Sequence, residues 1–243
     1  MNLLSETVAF LAHQPGLLVR SAGNQLLLSA AAVGVAMAVS LPVGMITGHL
    51  RRWSFLAISG ANIARALPTL AIIAIGISLW GIGFLNIMIA LVFLAIPPIL
   101  TNTYVAVSTI DQSMTEGARG MGMRSWQVLA RVEFPAAVPL IVAGLRTASV
   151  YVIATAYLAS FAGTNATLGS VITNEGHYGL AGVLAATVVI VVLAFAVEGL
   201  LAALQYALTP RGIRLTRRLA GPGADLANAG AVDATRQETV SAN

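Results

Sequence analysis

The feature that most constrains this chain is the spacing of its charges. From Arg20 to Arg51 there are thirty consecutive residues without Asp, Glu, Lys or Arg; the interval from Arg65 to Asp111 encloses 45, Arg146 to Glu175 encloses 28, and Glu175 to Glu198 encloses 22. Each exceeds the roughly 18 apolar residues that read as a bilayer-spanning helix. The longest would run about 68 Å as one helix, more than twice a hydrocarbon core of roughly 30 Å, so it must turn back at least once. With 58% hydrophobic and only 9% charged residues, the chain is expected to be an all-α, polytopic helical membrane protein.

Composition removes several chemistries. All thirteen basic residues are Arg, and there is no Lys and no Cys. A Walker A loop and a Schiff-base lysine are therefore excluded, as are disulfides, thiolate nucleophiles and Cys-ligated metals. His13, His49 and His177 are far apart and none falls in an H-E-x-x-H pattern, so no metal site is expected. The net charge of +4 does not point to nucleic acid, because the Arg residues cluster beside apolar segments.

About five spans are expected, near 24–48, 54–80, 86–108, 136–162 and 180–208, with a polar loop at 109–135. Arg51 and Arg52 follow the first span, Arg119, Arg124 and Arg131 lie in the loop, and Arg211, Arg214, Arg217 and Arg218 follow the last. The positive-inside rule places all three clusters in the cytoplasm, hence the N-terminus outside and the C-terminus inside. Residues 3–20 read as a short amphipathic surface helix. One transmembrane domain is expected over 1–212, then a basic and disordered cytoplasmic tail over 213–243.

The loop has its own local logic. Ser113-Met-Thr-Glu116 reads as a capping box, with Ser113 as N-cap and Glu116 at the third helical position. The short helix from Met114 ends at Gly120 and Gly122, and Ser125 caps a second helix reaching Glu133. Pro135 and Pro139 mark re-entry into the membrane. Met114, Ala118 and Met121 give the first helix an apolar stripe suited to a membrane surface or a protein cleft.

This loop resembles the E-A-A-x3-G-x9-I-x-L-P signature of permease subunits of binding-protein-dependent ABC importers. Glu116, Gly117 in place of Ala, Ala118, Gly122, Val132 for Ile, Phe134 for Leu, and Pro135 fall in register without insertion or deletion. The stretches Ala61–Ala71, with Arg65-Ala-Leu-Pro68-Thr69, Ala95–Tyr104, with Pro97-Pro98 and Asn102, and Ala143-Gly-Leu-Arg146 look like the osmoprotectant branch. That branch imports glycine betaine, choline, carnitine or proline betaine.

The resemblance implies a methionine-importer-like permease fold in a bacterial-type plasma or inner membrane. It implies a homologous or identical second permease, separate ABC ATPase subunits and an extracytoplasmic substrate-binding protein, besides membrane lipid. ATP and Mg would sit on the ATPase, and this chain would bind no cofactor and catalyse no reaction. Glu116, Gly117, Ala118, Gly122 and Pro135 would shape a coupling helix docked on the ATPase. Arg119 and Arg124 would be its ion-pairing partners or solvated topology charges. An amino-acid or methionine importer is the alternative, and an integral-membrane enzyme a remote one.

Charges inside the spans cost roughly 2.5–3.5 kcal/mol each near a helix centre, so each needs a reason. Arg65 and Glu198 lie at equal depth and are candidates for a buried ion pair; equally, Arg65 would line the translocation path with Asn62. Arg146 reads as snorkelling or facing a wet cleft. Pro68 interrupts the second span as a gate or a packing kink. Phe161, Asn165, Asn174, Glu175 and His177 are outer-loop candidates, as docking contacts or ordinary loop residues.

Overall fold

The computed structural model describes residues 2–51, 59, 68–163 and 167–209, and every regular element among them is helical. Residues 1–206 form one compact unit; a second, 207–243, is described only to Thr209, so the expected tail lies outside the described residues.

Helix α1 spans Leu3–His13 and α2 spans Pro15–Leu50. Proline at a helix start gives up only an amide that has no partner there. The first long helix therefore begins at Pro15 rather than near Asn24, and takes in Leu17, Leu18 and Arg20 from the expected surface helix. Helix α3 is Thr69–Trp80 and α4 is Phe84–Ser108. The loop follows as α5, Gln112–Gly120, and α6, Ser125–Val128. A π turn, Leu129–Glu133, runs directly into α7, Phe134–Thr155, which tightens into a 3-10 segment, Ala156–Ser160. Helix α8, Gly169–Thr173, precedes α9, Glu175–Leu208. Among the described residues, four helical stretches are long and apolar enough to cross a membrane: Pro15–Leu50, Phe84–Ser108, Ser125–Ser160 and Glu175–Leu208. Helix α3 is apolar but shorter, and most of 52–67 lies outside the described residues.

The core lies between α2, α4 and α7, where Ala32, Ala36, Ile87, Leu91, Ile99 and Val152 are buried. Lipid tails are as apolar as leucine, so tight association of such helices rests on close approach of small residues. Gly44 and Gly48, one turn apart on α2, supply it. A methyl on Gly44 would lie 2.7 Å from Thr103 Cβ, and one on Gly48 would lie 2.8 Å from Val107 Cβ and 3.0 Å from the Tyr104 carbonyl oxygen. Gly144 of α7 meets α4 in the same way, 2.6 Å from Asn102 Cβ and 2.8 Å from the Pro98 oxygen.

Helix α9 is held differently. Gly179 breaks its first turn with φ +66°, a backbone that glycine adopts without steric cost, and continuous helix runs from Leu180. Near this end Leu168, Val171, Ala186 and Ile190 pack with Leu18, and Phe10 meets Tyr178 edge-on at 6.1 Å. Val188, Val192 and Leu200 face outward, as a lipid-facing surface requires.

Candidate functional site

The loop between α4 and α7 is built by two capping motifs. At its start the Asp111 carboxylate, not Ser113, is the N-cap, accepting the Ser113 N–H at 2.9 Å. Asp111 reaches that amide from two residues upstream, so the helix starts at Gln112 and Glu116 falls beyond the third position of a capping box. The Ser113 amide, and then its hydroxyl, hold the Asp111 carboxyl below the usual carboxylate range. At the end of α5, the Met123 N–H donates to the Ala118 carbonyl at 3.2 Å and the Gly122 N–H to Arg119 at 2.9 Å, with Gly122 at φ +83°. This is a Schellman cap with glycine at its left-handed position, which gives the signature glycine a physical cause.

Helix α5 turns Thr115 and Ala118 inward and Met114, Glu116, Gly117 and Arg119 outward. The expected stripe of Met114, Ala118 and Met121 is therefore split. Ala118 packs against the stems, while Met114 and Met121, the latter already past the last helical turn, stay exposed. Trp126, 61% exposed beside exposed Arg124, extends the same apolar and charged surface. Sequence reasoning passed over Trp126, although a tryptophan in a polar loop is itself a signal. Around Gly117, where the family signature has Ala, nothing lies within 4 Å of an added methyl.

Ser125 was expected to cap the second helix. The residue at that cap is Arg124, whose N–H donates to Gln127 Oε1 at 2.8 Å. The Ser125 hydroxyl instead meets His49 Nε2 at 2.6 Å, and His49 Nδ1 meets the buried Glu133 carboxylate at 2.7 Å. The second helix also continues as the π turn into the span without an intervening loop. Pro135 has no N–H and crowds the carbonyl four residues before it, so the ladder widens where it approaches that proline.

Part-way along α7 and α9, Glu198 pairs with Arg146, their side chains 32% and 28% exposed. Arg146 Nε donates to Glu198 Oε1 at 3.0 Å, Nη2 donates to the same oxygen, and Nη1 donates to Gln205 Oε1. The Gln205 amide closes the chain by donating to the Pro139 carbonyl at 2.8 Å. That carbonyl precedes Leu140 in the proline-bearing first turns of α7. Glu198 was expected to pair with Arg65, which lies outside the described residues together with Asn62. The depth count that suggested Arg65 holds equally for Arg146, eleven residues after Pro135 as Glu198 is eleven before Thr209. Pro68 stands at the N-cap of α3, where its carbonyl accepts from Ala71 and Ile72, and the residues just before it lie outside the described residues.

Two cavities flank α9. One of about 570 Å³ lies between α7 and α9, with Arg146 and Glu198 among apolar walls that include Tyr151, Ile190 and Phe195. The other, about 310 Å³, is lined from α2, α7 and α9 by Ser29, Ser149, Leu145 and Leu201. Beside it Gln25, fully buried, donates to the Ile153 carbonyl at 2.9 Å. Phe161, Asn174, Glu175 and His177 are exposed, and Asn165 lies outside the described residues. No group of three or more metal-ligating side chains occurs among the described residues.

Among the described residues, long apolar helices joined by one capped, exposed polar loop give the architecture of a polytopic membrane protein. Residues 40–214 match the family described as the binding-protein-dependent transport system inner membrane component, and the chain belongs to it. It is 31% identical over 211 residues to the glycine betaine/carnitine/choline transport system permease protein of Bacillus subtilis (strain 168), covering 87% of this chain and 97% of that one. It is 37% identical over 195 residues to the carnitine transport permease protein of Listeria monocytogenes, covering 80% and 89%. It is 31% identical over 219 residues to an osmoprotectant import permease protein of Salmonella typhimurium, covering 86% and 100%. Among solved structures, an inward-facing MetNI methionine ABC transporter chain matches with a TM-score of 0.71 at 21% identity, over 81% of this chain and 99% of that one. The fold is thus that of an ABC importer permease. The chain is an inner-membrane transport subunit of the bacterial type. As in the family generally, it works with ATPase subunits, a second permease and a binding protein.

Proposed function

We propose that this chain lines the translocation pathway of an osmoprotectant importer, taking a small zwitterion or cation of the glycine betaine, carnitine, choline or proline betaine kind. The loop at 111–135 faces the cytoplasm, the N-terminus lies outside and the C-terminus inside. ATP and Mg²⁺ are held by the partner ATPase. The observation that carries the coupling role is the outward surface of α5 and the turn after it. Met114, Met121 and Trp126 offer adaptable apolar contact, while Glu116, Arg119 and Arg124 ring them with charge.

On this reading, closure of the ATPases pushes α5, the stems pass the displacement to α2, α4 and α7, and the path opens to alternate sides of the membrane. Capture and selectivity reside largely in the binding protein, since only 6% of this chain is aromatic and a quaternary ammonium is held best by aromatic faces. Arg65 and Asn62 remain proposed pathway residues, and Pro68 a proposed gate. Exposed Glu175 and His177 are proposed contacts for the binding protein.

The test is uptake of labelled glycine betaine, choline, carnitine and methionine into proteoliposomes holding the complete transporter, with binding protein and ATP supplied. Uptake of quaternary amines and not of methionine is expected; the reverse would sink the substrate assignment. Reversing the charge at Glu116 is expected to abolish co-purification of the ATPase, and retention of a full complement would remove α5 from the joint.

A further inference from the structure

The transport reading leaves unused a linkage at the loop end of α2. His49 lies in its last turn, one residue from the end, and uses both ring nitrogens, toward Glu133 at 2.7 Å and toward Ser125 at 2.6 Å. A carboxylate only accepts, so Nδ1–H donates to Glu133, and in the neutral ring Nε2 accepts the Ser125 hydroxyl proton. His49 and Glu133 are both under a tenth exposed, so neither charge nor dipole is spent on solvent. Two residues further on, at the left-handed turn ending α2, the Arg51 guanidinium donates from Nη2 to the Ile110 carbonyl at 2.8 Å. Ile110 immediately precedes the N-cap of α5, whereas Ser125 and Glu133 bracket its exit. Both stems of the loop are thus tied to one end of one helix.

We infer that His49 is a positioning residue for energy coupling: with Arg51 it clamps the loop stems to α2, so that displacement of α5 by the ATPase moves α2 instead of bending the loop. This rests on the transport reading above. Local geometry supports the transmission. Immediately before the clamp, Gly44 and Gly48 lock α2 against α4, so that α2, α4 and both stems form one block. On the exit side Glu133 is the last residue of the π turn, so the His49 contact holds the point where the loop passes into α7. Ser, His and Glu in this order also match the connectivity of an acyl-transfer triad. However, none of the three lines either cavity beside α9, and the relatives are transport subunits.

The experiment uses the complete transporter in proteoliposomes and reads substrate moved per ATP hydrolysed. In His49→Ala the ATPase stays bound and hydrolysis continues, while transport per ATP falls about tenfold, the loss of one charge-assisted contact. His49→Gln, which keeps one donor and one acceptor on the side chain, restores the ratio to within about twofold. A purely structural histidine would change yield and thermal stability but leave that ratio alone. Wild-type transport per ATP in His49→Ala, or no rescue by His49→Gln, overturns the inference. Should His49→Ala fail to assemble, Ser125→Ala removes one arm only and is expected to lower the ratio about threefold; an unchanged ratio there overturns it too. A wild-type complex that retains no ATPase would overturn the transport reading itself, and this inference with it.

Discussion

Arg146 shows what a charge inside a span requires. Its guanidinium spends donors on Glu198 and Gln205, and Gln205 spends its own amide on the Pro139 carbonyl. Arg146→Met strands the Glu198 carboxylate among apolar walls and is expected to cost about 2–3 kcal/mol. Adding Glu198→Met should recover most of the loss, because two matched apolar residues leave no unpaired charge. Thermal unfolding in detergent of the two single variants and the double checks this. At Gly117 the expectation has the opposite sign: alanine has room and raises helix propensity, so Gly117→Ala should stabilise by about 0.5–1 kcal/mol, and unchanged ATPase co-purification would complete the result. Asp111 sets a pH limit. Its folded value is lowered by Ser113, so the stabilisation it gives is fully present above the ordinary carboxylate range and is lost as pH falls through the lowered value. Amide exchange at Ser113 to Thr115 is therefore expected to be flat from pH 8 to about 5 after correction for intrinsic rates, and to quicken only below about 4.

At the scale of elements, the glycine contacts make a differential prediction. Gly48→Ala forces a methyl against Val107 and the Tyr104 carbonyl and should cost about 1–3 kcal/mol, whereas Gly34→Ala, with nothing within 4 Å, should cost nothing. The same unfolding measurement separates them. The helical class and the position of the polar loop were legible because charge-free runs report directly on a solvent that tolerates no charge. The loop signature was legible too, and Gly122 and Ala118 now carry local reasons, a Schellman cap and an inward-packed face. What the chain concealed depends on pairing across distance. His49 with Glu133 and Arg146 with Glu198 join residues 84 and 52 positions apart, and no local rule pairs either set. The capping assignments failed for a related reason. Asp111 outcompeted Ser113 for the same amide, and Ser125 was claimed by a histidine on another helix.

Over the whole unit, packing is uneven. Helices α2, α4 and α7 interlock through glycine and alanine, whereas α9 borders two cavities and is tied by the Arg146 network and the cluster around Leu18 and Ile190. Enlarging a wall residue of the larger cavity should accordingly be tolerated where enlarging a core residue is not. Ala154→Leu is expected to leave the unfolding midpoint within a degree or two, while Ala148→Leu, at a fully buried position, should cost about 1–3 kcal/mol. Equal losses from both would show that the cavity side of α7 is as tightly occupied as its core side.

The length of α2 adds a last consequence. Its 36 residues, with Pro42 inside, run about 54 Å along the helix axis, longer than the roughly 40–45 Å of a bilayer with its headgroups. On the proposed coupling, a push delivered beside His49 and Arg51 travels to the Pro15 end along one continuous helix, past the turn where Pro42 donates no hydrogen bond. On that reading linkage makes the helix a two-way telegraph: whatever a protein docked at the Pro15 end would do to the tilt of α2, an ATPase docked at α5 would register in equal measure.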